Sequence, residues 1–233
     1  MAYISDAYKF LFVMSPRTGC TSIAYGILVP HLKVARVPWK DILDEGGRLL
    51  VDSKHSTLAD LLDYGLIAKE KPAELFKFCA VRNPFDSLVS LYVKNKTTYA
   101  ELVDDKDSFL HRKPRALEDV RRAADMSFSE WVTERYTHPS RVRPWRSGER
   151  VPVRPQHMYG RYLAGMDHVM QFERLHADLD EVLRKLGAPT GLEMPNLNPT
   201  PRDKDYRSYY TDAARKLVEH VFRPDTERFG YRF

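Results

Sequence analysis

Two short stretches of this chain combine residue types that can hold an anion. The first, Ser15-Pro-Arg-Thr-Gly-Cys-Thr-Ser22, follows the apolar run ending at Met14 and leads into a helical pattern. A glycine lets the main chain turn tightly, and the start of a helix offers unpaired amides at a positive dipole end. Thr18, Thr21 and Ser22 add hydroxyls and Arg17 adds a fixed positive charge. The Walker pattern GxxxxGK(S/T) is absent. An ordinary strand–turn–helix corner capped by Ser and Thr accounts for the same letters. The second stretch, Val81-Arg-Asn-Pro-Phe-Asp-Ser-Leu-Val-Ser-Leu-Tyr92, places Arg82 at a strand end, Asn83 as N-cap and Pro84 at the first helical position. Phe85, Leu88, Leu91 and Tyr92 form an apolar face, and Asn83, Ser87, Ser90 and Lys94 a polar one. Arg82 can grip a phosphate through two parallel bonds while Ser90 donates from further along the helix. A solvent-facing stripe beside a structural arginine is the competing account.

His55 is the third candidate. It follows a strand-like run at its C-terminal end, where open α/β sheets bind ligands, and Lys54 precedes it. Near pH 7 a neutral imidazole can act as a base. Capping the helix that begins at Ser56 is the competing role. His157 is the rival for a base. Cys20 and Cys79 lie in or beside apolar runs and read as small buried residues rather than as a disulfide or a nucleophile. No His/Cys/Asp/Glu set has metal-ligand spacing, so no metal is expected.

These residues need a frame to position them. Lys9–Met14, Leu49–Asp52, Phe76–Val81 and His168–Phe172 read as buried parallel strands, each closed by polar residues. Helical patterns alternate with them at Thr21–Leu32, Ser56–Tyr64, Pro84–Lys94 and Leu175–Leu186, which predicts a parallel sheet flanked by helices. From Asn95 to Arg154 charges dominate and Pro139, Pro144, Pro152 and Pro155 interrupt the pattern, so 95–154 reads as an insertion over the open sheet edge within a single domain, 1–233. One piece of it, Ser127–Tyr136, carries a capping box and an apolar face. A last helix is expected over Asp212–Phe222, with an aromatic tail after it.

Together the two stretches resemble the PAPS-binding signatures of the sulfotransferase family: a phosphosulfate loop, usually PKxGxTx, and the 3'-phosphate motif RNPxDxxxSxY. The second is matched in full at Arg82–Tyr92. The likeness is nearest the carbohydrate branch and extends through Ser53–Thr57, Ser127–Tyr136, Arg154-Pro-Gln156, Gln171-Phe-Glu173, Tyr206–Thr211 and the Phe-Gly-Tyr-Arg-Phe end. It implies a P-loop-like nucleotide-binding α/β fold with a helical or loop insertion. It also implies that Arg17, Thr18, Gly19, Cys20, Thr21 and Ser22 line the 5'-phosphosulfate and that Arg82 and Ser90 hold the 3'-phosphate. By the same resemblance Arg202 and Lys204 close over the nucleotide, and His55 is the base. Arg17 stands where the family usually has Lys. A guanidinium keeps the charge but donates a proton poorly, so the expected role is electrostatic. PAPS is the implied donor, PAP the product, and a small molecule or carbohydrate the acceptor.

Composition narrows the alternatives. The chain has 233 residues, 43% of them hydrophobic, enough for a packed core and too many for a disordered chain. No apolar run approaches the ~18 residues that cross a bilayer, and nothing reads as a secretion signal, so a cytoplasmic protein is expected. The net charge of +5 suits an anionic ligand without naming it. A kinase-like ATP phosphotransferase would need the missing Walker lysine and a Mg²⁺ carboxylate, for which Asp52 is the one candidate. A nucleic-acid- or anion-binding module built on 95–154, with Trp131 and Trp145 for stacking, lacks an accompanying motif, so no nucleic acid is expected as partner.

Overall fold

The computed structural model describes residues 1–138 and 153–233. Met1–Arg82 with Tyr159–Pro199 form one compact unit, and Asn83–Met158 with Thr200–Phe233 form another.

The first unit is built on a five-stranded sheet. Its strands are β1 (Ala2–Ser5), β2 (Phe10–Val13), β3 (Ala35–Val37), β6 (Phe76–Val81) and β7 (His168–Gln171), in the order β3-β1-β2-β6-β7. β2, β6 and β7 run parallel, with Phe12 opposite Phe78 and Phe78 opposite His168. β1 and β3 add on antiparallel. The α/β class is as expected, and the three parallel strands are those read from the sequence. The parallel strands are continuous apolar runs because both faces are covered. Phe10, Phe12, Phe78, Ala80 and Met170 pack with Ile23, Ile27 and Leu28 and with Leu175, Leu179 and Val182, while Leu11, Val13, Cys79 and Val81 are buried on the opposite face. Helices at Ser22–Leu28, which is π-helical, and Val29–His31 follow β2, and a helix at Leu175–Lys185 follows β7.

The expected strand over Leu49–Asp52 is a correction. Leu49–Val51 (β5) pairs antiparallel with Ile42–Leu43 (β4) in a separate two-stranded ribbon. The cause is local. Asp44 and Arg48 close a hairpin, with Asp44 N–H donating to Arg48 O at 2.9 Å and Gly47, at φ 76°, supplying the left-handed turn. The sheet position expected for that run is taken by β1 and β3, strands of 4 and 3 residues.

In the second unit the helix Pro84–Lys96 packs Phe85, Leu88, Val89, Tyr92 and Val93 against Phe128, Trp131 and Val132 and against Ala214, Val218 and Val221. The helix Phe128–Thr137 has the expected capping box at Ser127 and Glu130. A helix at Pro114–Asp125 lies within the stretch where the pattern weakened. It buries only Asp119, Val120 and Ala123, too narrow a stripe to stand out among its charges. Asp212–Val221 and Arg223–Phe229 end the chain. Pro139, Pro144, Trp145 and Pro152 lie outside the described residues. No helix among the described residues is long and apolar enough to cross a membrane.

Phe78 stands between Phe10 and Phe12, with ring centroids 5.5 and 5.1 Å away. Truncating it leaves a cavity against β2. Phe78→Ala is expected to destabilise the protein by about 3–5 kcal/mol, read as a lowered midpoint in urea unfolding.

Candidate functional site

The loop after β2 is held from within and from β6. Thr18 Oγ1 donates to Ser15 O at 2.9 Å, and Ser15 Oγ donates to the carbonyl of Ala80 in β6. At the end of β6 the Arg82 Nη1 donates to Arg17 O at 3.1 Å, and the guanidinium lies 4.0 Å from the centroid of the Phe172 ring. Arg82 is thus buried at 8% exposure and anchors the loop that the sequence paired with it. Thr18 is fully buried, its hydroxyl turned into the loop. Ser22 Oγ accepts from Leu197 N–H at 3.0 Å and ties the 195–199 segment to the first helix.

Arg17 and Gly19 both have left-handed backbones, at φ 64° and 71°. Such a conformation costs a non-glycine residue about 1–2 kcal/mol, and left-handed residues in a turn are one way main-chain amides come to face an anion. The amides of Ser22 and Ile23 are taken by Gly19 O, at 2.9 and 3.2 Å. No main-chain carbonyl among the described residues takes those of Gly19, Cys20 or Thr21. Cys20 is buried, and burial pushes its thiol pKa upward, so it is a neutral packing residue. The fit to a phosphate or sulfate group therefore rests on main-chain N–H groups, with Arg17 as the charged side chain on the loop.

His55 reaches this loop by another route than expected. β5 does not join the central sheet, yet the turn after it brings His55 Nδ1 to 2.9 Å from Met14 O, directly before the loop. A carbonyl oxygen only accepts, so Nδ1 carries the proton and Nε2 keeps its lone pair. Burial holds the imidazole pKa down at about 4, against the pull of the Met14 carbonyl and Asp52. The ring is neutral at physiological pH. Nor is it a helix cap: Thr57 caps Leu58–Asp63, its Oγ1 accepting from Asp60 N–H at 3.2 Å while Asp60 accepts from Thr57 N–H at 2.8 Å.

The remaining candidates lie in the second unit. Ser90 is buried, its Oγ 3.3 Å from Thr200 Oγ1. Arg202 Nη2 donates to Asp86 Oδ1. Lys204 is exposed. His157 Nδ1 is 3.2 Å from Oδ1 of the buried Asp225, which also accepts from Met158 N–H at 2.6 Å. Sequence reasoning missed Phe172 beneath Arg82, the Ser15–Ala80 bond, and the roles of Asp86 and Thr200. The one legible signal was Asp86, four residues before Ser90 on the same helical face.

Gly19 leaves room for nothing larger: a Cβ there would lie 2.7 Å from Leu175 Cδ2 and 3.2 Å from the Phe172 ring. Gly19→Ala is expected to cost about 1–3 kcal/mol and to abolish anion binding to the loop. Thermal unfolding and titration with a nucleotide sulfate check the two effects separately.

The Sulfotransferase family model matches residues 1–232. No curated protein and no solved structure matches the chain.

Proposed function

The chain belongs to the sulfotransferase family, and from that premise we propose that it moves a sulfuryl group from PAPS to a hydroxyl or amine of a glycan or other small molecule. The observation that carries the reading is the loop Ser15–Ser22, left-handed at Arg17 and Gly19 and stitched to β6, with no main-chain carbonyl among the described residues taking its Gly19–Thr21 amides and a neutral histidine bonded to the residue before it.

The reaction is an in-line displacement. The acceptor oxygen attacks sulfur, the bond from sulfur to the bridging phosphate oxygen breaks, and PAP leaves with that electron pair. Such transfers pass through loose transition states governed by position and charge. Arg17 and the amides of Gly19–Thr21 balance the charge gathering on the bridging oxygen. His55 Nε2 receives the acceptor's proton. Arg82 and Ser90 are assigned the 3'-phosphate on their motif, and Arg202 with Lys204 the outer side of the nucleotide. A sulfuryl group carries less negative charge than a phosphoryl group, so side-chain cations suffice and we propose a metal-independent reaction. The buried thiols of Cys20 and Cys79, not joined in a disulfide, suit a reducing cytoplasm.

PAP and PAPS should stabilise the protein by about 2.7 kcal/mol at a hundredfold excess over Kd, and labelled PAPS should turn over with pooled acceptors in EDTA. Adenosine 5'-phosphosulfate, lacking the 3'-phosphate, should bind far more weakly. Equal thermal shifts from both nucleotides would remove the 3'-phosphate assignment, and turnover of ATP with Mg²⁺ but not of PAPS would favour a kinase.

His55→Ala should lower kcat by about 10²–10⁴ with PAP affinity intact. The neutral ring is the working form, so kcat/KM should stay level from this group above pH 4 and fall as pH drops through about 4. The same depressed pKa makes the unfolded chain bind a proton that the fold refuses between about 6.5 and 4. Stability should therefore decline as pH falls through that window, less so in His55→Asn. Normal turnover in both variants would move the base to His157.

A further inference from the structure

The helix Pro84–Lys96 carries an acid where a phosphate-binding helix has least use for one. Asp86 and Ser90 are four residues apart, so their side chains share a face with Cβ atoms about 5–6 Å apart. A bare carboxylate there would repel a phosphate bound at Ser90. Arg202 covers it: Nη2 donates to Asp86 Oδ1, and the two side chains are only 11% and 14% exposed. The same segment brings Thr200 Oγ1 to 3.3 Å from Ser90 Oγ, and the Tyr206 hydroxyl accepts from Asn83 Nδ2 at 3.3 Å. Positions 83, 86 and 90 of one helix thus each engage one residue of the segment 200–206. A guanidinium has five N–H donors. Among the described residues, Asp86 Oδ1 takes one of Arg202's and Asp203 O another, at 3.4 Å.

We propose that Asp86 is a positioning residue of the nucleotide site. Through Arg202 it latches the 200–206 segment along the helix, cancels its own charge, and sets the other guanidinium donors and the Ser90 hydroxyl for the 3'-phosphate of PAPS. The inference rests on the PAPS reading above, and it makes Asp86 a partner of a ligand rather than a ligand. It also explains how an acid belongs in the motif without opposing the phosphate.

The test is calorimetric titration of the whole protein with PAP and with AMP, which lacks the 3'-phosphate. Asp86→Asn should reduce the preference for PAP over AMP about tenfold, the worth of one charge-assisted bond, with AMP affinity unchanged. Asp86→Glu, which keeps the charge, should restore most of the preference. In an Arg202→Ala background, Asp86→Asn should cost nothing more. PAP binding by Asp86→Asn as tight as wild type, or tighter, would overturn the proposal. So would a parallel fall for PAP and AMP together with a lower Tm, the mark of a purely structural pair. Should Asp86→Asn not fold, Arg202→Ala decides: it must lose more than tenfold of the preference, and an unchanged preference sinks the latch. A wild-type protein with no preference for PAP would instead defeat the PAPS reading itself, before any variant is compared.

Discussion

Ser15 Oγ donates to the carbonyl of Ala80, and Arg82 donates to the carbonyl of Arg17. These two bonds join the loop after β2 to the end of β6, the neighbouring parallel strand. Each spans 65 residues of sequence. A lone buried bond of this kind contributes about 1 kcal/mol net, comparable to the strain of one left-handed non-glycine residue. The stitches are therefore of the size needed to offset what the backbone stores at Arg17. The loop is tied to the neighbouring strand at both bonds, and its own letters account for only part of its conformation.

That dependence marks how far the sequence could be read. The parallel strands β2, β6 and β7 were legible as unbroken apolar runs, and the caps at Asn83 and Ser127 as Ser/Asn with helix formers behind them. Leu49–Val51 was equally apolar, but its partner is decided by the Asp44–Arg48 hairpin, and a run of three residues carries no period that separates parallel from antiparallel pairing. Phe172 and Thr200 lie 90 and 110 residues from Arg82 and Ser90, the groups they meet, and no local pattern reports such a distance. His55 was found by its place after a strand. The strand joined a different sheet, and the turn still delivered the ring to β2.

Charge tells a related story. The net charge of +5 suits an anionic ligand, yet Arg122 pairs with Glu118 and Glu134. Arg135 pairs with the buried Asp119, and Arg161 with Asp60. Several of the chain's cations are committed to ion pairs, each exposed pair worth only a few tenths of a kcal/mol. Net charge thus says little about where an anion would settle, and the loop amides and the few committed arginines say more.

The bond from His55 Nδ1 to the main chain at Met14 has a consequence for variation and design. In many imidazole sites the proton is placed by a carboxylate side chain, which substitution can remove or shift. Here the address of the proton is written in the backbone and survives any exchange of neighbouring side chains that leaves the turn's length alone. Side chains around the ring can therefore be exchanged without resetting the tautomer. An insertion or deletion between β5 and Thr57 is the change that would erase it.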